Sequence, residues 1–156
     1  MRPYTMELLN YLKDDFDLMV FTASHHKYAN TMIDLIDPKN EIFIKRVFRD
    51  NCIKTREGVM IKDLRIFKGR NLKDMVLVDN SSISFMWHYE NGVPCLNYTD
   101  DFEDDEFIGL GRFLMTLKDV SDVRPLVFRH FCWKAFLDFP GRERDTIFEI
   151  FRMAGV

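Results

Sequence analysis

A chain of 156 residues with 47% apolar side chains and 15 phenylalanines is long enough for one domain with an aromatic-rich core, and this composition excludes a disordered polypeptide. The net charge of −3 conceals two local fields: ten basic against three acidic residues between positions 45 and 73, a local +7, and six acids in the seven positions 100–106. No apolar run approaches the roughly 20 residues a membrane span needs, no secretory leader is visible, and Cys52, Cys95 and Cys132 form no C-x-x-C or metal-finger spacing, so an intracellular domain without a membrane span is expected.

Arg2-Pro3 predicts a helix start, with Leu8, Leu9 and Leu12 on one side and Lys13-Asp14-Asp15 as its close. Residues 17–21 read as a strand that stops at Thr22-Ala23-Ser24. Ser24 is placed as the N-cap of a helix whose Tyr28, Met32, Leu35 and Ile36 recur at helical spacing, and Asp37-Pro38 ends it. Residues 41–48 alternate as a strand through Ile42 and Ile44. Glu57-Gly58 predicts a hairpin turn into Val59-Met60-Ile61, followed directly by Lys62-Asp63-Leu64.

A second buried strand is expected at residues 75–78, stopping at Asp79-Asn80-Ser81, and a short one at 93–96 after the turn Asn91-Gly92. Phe107, Leu110, Leu114 and Leu117 mark an amphipathic helix; the acidic run before it reads as a solvated loop and a favourable helix start. Residues 126–139 read as helical, Pro140-Gly141 as a break, and Ile147, Phe148, Ile150 and Phe151 as a last short helix. Strands alternating with helices at this spacing predict an α/β fold with a parallel sheet covered on both faces.

Strands that stop at polar groups build ligand sites in the crevice beyond their carboxyl ends. Asp79 and Asn80, adjacent oxygen ligands, suit Mg²⁺, which takes few protein ligands; the competing assignment is a turn with Asn80 or Ser81 as cap. Thr22 and Ser24 offer hydroxyls to phosphate oxygens, against helix capping. Lys62 beside an apolar triplet suits a developing negative charge, although position alone favours a surface lysine. Arg49 is one of a basic set.

Other chemistries are excluded by spacing. A cysteine phosphatase loop needs Arg six positions after Cys, where this chain has Gly58, Asp101 and Asp138. No G-x-x-x-x-G-K-[ST] loop is present. Adjacent His25 and His26 do not face each other on a helix and read as a surface pair. Trp87-His88-Tyr89 reads as core and loop packing rather than a base-stacking platform, so no nucleic-acid partner is expected.

Several segments together carry a resemblance: Arg2-Pro3, Phe21-Thr22-Ala23-Ser24 with Lys27-Tyr28-Ala29, Phe48-Arg49, Lys62-Asp63-Leu64, Val78-Asp79-Asn80-Ser81, Asn91-Gly92-Val93-Pro94 and Asp122-Val123-Arg124-Pro125. In this order they resemble the small C-terminal-domain phosphatases, the nuclear-LIM-interactor-interacting-factor (FCP/SCP homology) family of the haloacid dehalogenase superfamily. The resemblance covers roughly residues 2–127. It implies a Rossmann-like three-layer sandwich and a Mg²⁺-dependent protein serine/threonine phosphatase that forms an aspartyl-phosphate on a phosphoprotein such as the RNA polymerase II C-terminal domain. It further implies that Thr22 binds the transferring phosphoryl group, that Lys62, held by Asp79, neutralises it, that Asn80 and Asp79 face the metal, and that Arg49 and Ser24 place the substrate.

The family's first motif, a strand ending in D-x-D-x-[TV], lies upstream of the Arg-Pro pair where this chain starts. The expectation is therefore a fold without its first central strand and a site without its nucleophile and acid/base aspartates. A truncated product, a pseudoenzyme, or a strand supplied by a partner chain would each account for this. A non-catalytic alternative is a relative of a mitochondrial presequence-receptor subunit; the phosphatase assignment implies a nuclear or cytoplasmic location. Residues 1–128 are taken as the homology domain and 129–156 as a C-terminal helical extension, whose aromatics Phe131, Trp133, Phe136 and Phe139 pack on the domain or form a docking surface.

Overall fold

The computed structural model describes residues 1–134. Four helices, α1 (Thr5–Leu12), α2 (His26–Ile36), α3 (Glu106–Met115) and α4 (Arg124–His130), accompany six short strands: β1 (Met19–Phe21), β2 (Lys45–Val47), β3 (Ile53–Lys54), β4 (Met60–Ile61), β5 (Leu77–Asp79) and β6 (Gly92–Pro94). The strands form three separate pairs. β1 runs parallel to β2 with Phe21 opposite Val47, β5 runs parallel to β6 with Asp79 opposite Pro94, and β3 and β4 are antiparallel. Among the described residues β1 pairs only with β2 and β5 only with β6, so the expected parallel pairing is present but one continuous sheet is not.

Local chemistry accounts for where the elements depart from expectation. The strand expected over residues 41–48 shrinks to β2 because Asp37 claims its first part: the carboxylate accepts the backbone N–H groups of Glu41, Ile42 and Phe43 at 2.8, 3.2 and 3.0 Å, which holds them as a loop. Burial opposes charge on Asp37, but these three donors outweigh it and its pKa is lowered. The cap of α2 is His25, whose Nδ1 accepts the Lys27 N–H, and not Ser24. The face of α2 is also turned: Ala29 and Ile33 are buried, while Tyr28, Met32 and Leu35 are exposed. The two exposed histidines do meet, with ring centroids 4.2 Å apart, because His25 is extended and only His26 is helical.

The hairpin turn falls where expected, with Gly58 at φ +87° between β3 and β4. β5 lies two residues later than expected, after a 3₁₀ turn at Leu72–Asp74, and so includes Asp79 itself. α3 packs against α1 across Gly111, where a Cβ would stand 3.0 Å from Leu8. One core joins the pieces, with Phe21, Val47, Phe67, Leu77, Phe85, Val93, Phe113 and Phe131 all contributing.

Two further features tie distant segments. Arg2 is buried, donates from Nε and Nη2 to both oxygens of Asp104 at 2.7 Å, and donates from Nη1 to the Leu96 carbonyl at 2.6 Å. The acidic run is therefore more than a solvated loop: Asp104 anchors Arg2, and Glu106 accepts the Leu96 N–H at 2.8 Å. After α4, Trp133 is fully buried, packs on Phe85 and Tyr89, and donates Nε1–H to the Gly92 carbonyl at 3.0 Å. At Phe131 and Trp133 packing prevails over docking; Phe136, Phe139, the Pro140-Gly141 break and the last expected helix lie outside the described residues.

Candidate active site

The carboxyl ends of β1 and β5 open into one cavity of about 440 Å³. Thr22, Ser24, Arg49, Lys62, Asp79 and Asn80 all line it, so the six residues singled out from sequence converge on one place. Each is positioned by the element that carries it. β1 delivers Thr22, whose N–H donates to the Val47 carbonyl at 2.9 Å and whose Oγ1 accepts the Ser24 N–H at 3.1 Å. That bond curls residues 22–24 into a tight turn around the cavity wall. Arg49 is locked to the turn, donating its Nε to the Ala23 carbonyl at 2.6 Å and its backbone N–H to the Ser24 carbonyl at 3.2 Å.

Lys62 leaves β4 and is buried, against the surface position its neighbours alone suggest. Its backbone N–H donates to the Ser84 carbonyl at 2.7 Å, and its ammonium lies against Oδ2 of Asp79 and 6.0 Å from the Phe21 ring. The other Asp79 oxygen accepts the Ser81 N–H at 2.8 Å. Both oxygens are thus engaged, and the carboxylate is an orienting partner for Lys62 rather than a free base. Asn80 is exposed, lines the cavity and donates Nδ2 to Oδ1 of Asn97 at 2.6 Å, and its own Oδ1 accepts no hydrogen bond from another described residue.

This donor set does not make a full magnesium site. Asp79 is neutralised by Lys62, Asn80 contributes one neutral oxygen, and no group of three or more His, Cys, Asp or Glu side chains is clustered among the described residues. What the cavity can do is receive an oxyanion. It offers the Thr22 and Ser24 hydroxyls, the Arg49 guanidinium and the Lys62 ammonium, with one carboxylate to hold Lys62 in place.

Sequence reasoning missed the layer behind the site. Next to Lys62, Asp63 is buried, accepts three hydrogen bonds from the Arg65 guanidinium, from Nε to both oxygens (2.9 and 3.1 Å) and from Nη2 to Oδ2 (2.8 Å), and contacts His88 Nε2 at 2.9 Å. The Arg65 guanidinium holds Asp63 well below the ordinary carboxylate range; burial pulls the other way, and His88 adds to the lowering. The signal lay in Asp63-x-Arg65, a 3₁₀ start with Asp63 as cap, but the partner His88 is 25 residues away and had no local sign. Cys52 also reaches this region: burial pushes its thiol pKa up, with Lys62 and Arg49 opposing.

Comparison with known proteins accords with the geometry. The family model described as NLI interacting factor-like phosphatase matches residues 1–124. A Dictyostelium discoideum protein called CTD small phosphatase-like protein 2 is 41% identical over 124 residues, which is 80% of this chain and 21% of that protein. The human carboxy-terminal domain RNA polymerase II polypeptide A small phosphatase 2 is 37% identical over 122 residues, 78% of this chain and 44% of that protein. The chain thus spans less than half the length of these curated relatives. Among solved structures, Fcp1, an essential RNA polymerase II CTD phosphatase, superposes with a TM-score of 0.54 at 18% identity, over 94% of this chain and 40% of that one. That match shows the haloacid dehalogenase-like α/β fold.

Proposed function

This chain belongs to the NLI interacting factor-like phosphatase family, and from that premise we propose that it is a phosphoryl-binding domain of the protein serine/threonine phosphatase type, acting on phosphoprotein, which does not turn substrate over by itself. The observation that carries this reading is the Lys62–Asp79 pair at the floor of a cavity ringed by Thr22, Ser24, Arg49 and Asn80. Phosphoryl transfer to water through the protein needs a nucleophile and a proton carrier. Among the described residues the one carboxylate that lines the cavity is Asp79, bonded to Lys62 and to the Ser81 amide, so neither role has a candidate among them.

The residues present can bind and orient. Thr22 and Ser24 donate hydroxyl hydrogen bonds to phosphoryl oxygens. Arg49, fixed to the 23–24 carbonyls, faces the outer oxygens and the peptide that carries them. Lys62 meets charge that builds on the phosphoryl group. Mg²⁺, which the family uses, would find the Asn80 side-chain oxygen but no unpaired carboxylate among the described lining residues, so its affinity for the chain alone is low. Among the described residues β1 and β5 each pair on one side only, and this supplies the other half of the proposal: an extended segment laid beside them, with carboxylates at its carboxyl end, would bring both roles to the cavity. Such a segment could come from a partner chain.

The test is twofold. Purified protein should show no Mg²⁺-dependent hydrolysis of a phosphoserine peptide, and inorganic phosphate should shift the amide resonances of residues 22–24, 49 and 80 with an affinity that falls as salt rises. Turnover abolished by Asp79→Ala, or phosphate shifts elsewhere, would overturn the reading.

A further inference from the structure

A second concavity, sharing no lining residue with the first, runs between α3 and α4 over the end of β6, with a volume of about 760 Å³. Its floor is apolar: Leu110, Phe113 and Phe131 are buried beneath it, and Leu126 and Ile108 flank it. The His130 ring stacks on Phe113 with centroids 4.2 Å apart. None of this serves the phosphoryl cavity.

The exposed ridge of α3 borders the groove, and its charges are arranged in a particular way. Asp105 stands at the N-cap and Arg112 two turns later, and both line the groove. Seven residues at 1.5 Å each separate them by about 10 Å along the axis and return them to the same helix face. Neither side chain makes a hydrogen bond or ion pair with another described residue, whereas their neighbours Asp104 and Glu106 are engaged with Arg2 and with the Leu96 amide. Midway between Asp105 and Arg112 lie Ile108 and Gly109, and a Cβ on Gly109 would meet nothing within 4 Å. Gly111, which α1 covers, faces the other way.

We propose that this groove is a homodimer surface, occupied by a second copy of the chain with the two α3 helices antiparallel about a twofold axis between Ile108 and Gly109. A twofold interface must be self-complementary. An acid and a base placed symmetrically about the axis satisfy that condition: Asp105 of each copy meets Arg112 of the other. In this register Gly109 of each copy faces Ile108 of the other across the axis and lets the two backbones approach closely. A single unrelated ligand would have no need of this symmetry. The opposed helix dipoles add to the preference for antiparallel packing.

Charge reversal gives a test that folding defects cannot imitate. The full chain should sediment as a concentration-dependent dimer that weakens as salt is raised. Arg112→Glu and Asp105→Arg should each be monomeric, because each places two like-charged pairs in the homodimer. An equimolar mixture of the two variants should recover a dimer containing one copy of each, since both crossed pairs then become acid–base. Gly109→Gln should leave the thermal midpoint unchanged or higher, given the open space at that position and the better helix former, and should also abolish the dimer. A wild-type chain that stays monomeric, whether its groove is free or covered by another part of the molecule, overturns the proposal. So does a dimer unaffected by either reversal, or single variants that do not recover association when mixed.

Discussion

Lys62 and Asp79 are both buried and each is the other's principal partner, so the two substitutions should act in opposite directions on anion binding. Lys62→Ala removes the ammonium and leaves a carboxylate in the cavity floor, which repels phosphate; affinity should fall at least tenfold, with a stability loss of about 3 kcal/mol for the orphaned charge. Asp79→Asn frees the ammonium and removes the competing anion, so phosphate should bind several-fold more tightly. Phosphate titration followed by NMR, with thermal melts alongside, distinguishes these outcomes; weaker binding by Asp79→Asn would mean that orientation of Lys62 matters more than its availability. Asp63 gives a pH signature. Its pKa is depressed in the fold by Arg65 first and His88 next, so its contribution to stability is present above the unfolded carboxylate value of about 4 and is lost as pH falls through the lower folded value. Asp63→Asn should flatten that acid limb in urea unfolding measured from pH 5 to pH 2.

At the level of elements, one side chain decides how much of residues 41–48 is strand. Asp37→Ala would strand three amide donors, one of them on the buried Ile42, and should cost roughly 2–4 kcal/mol. Hydrogen exchange should show amides 41, 42 and 43 losing protection while β2 retains its own; protection unchanged at those amides would mean that another acceptor takes over. The same region shows what was legible beforehand. Strand ends at Thr22 and Asp79 could be read because apolar runs stopping at polar residues signal themselves locally, and so the site's first layer was accessible. The face of α2 could not, since Tyr28, Met32 and Leu35 repeat as regularly as Ala29 and Ile33, and only the packing partners choose between them. The roles of Asp37, His88 and Asp104 could not be read for a related reason: each stood in a segment with a plausible local reading, as a helix end, a packing cluster or a solvated acidic run, and its actual partner is brought in by the fold.

At the scale of the whole molecule, the two parallel strand pairs share a core without sharing a hydrogen-bond ladder among the described residues. The link runs through Lys62, whose ammonium is paired with Asp79 of β5 and lies 6.0 Å from the Phe21 ring at the end of β1. Such an arrangement opens piecewise. Native-state exchange should resolve two sets of amides with different opening free energies, one around β1–β2 and one around β5–β6, and Lys62→Ala should widen the difference. A single opening free energy for both would show that packing alone couples them. Proteolysis under native conditions offers an independent reading, as cleavage should begin within the weaker of the two units.

The bond between Arg2 and Asp104 has a consequence in time rather than in space. The Arg2 side chain, which leads into α1, must wait for an acceptor 102 positions further on. A ribosome adding about 5–20 residues per second needs roughly 5–20 s to deliver it. During that interval the first helix has its Leu12 uncovered and its arginine unpaired, and the nascent polypeptide is open to chaperones, to proteases and to other chains on the same messenger. Slowing elongation just after the Leu12 codon should therefore lower the yield of soluble protein, whereas slowing it beyond the point at which Asp104 has emerged should not.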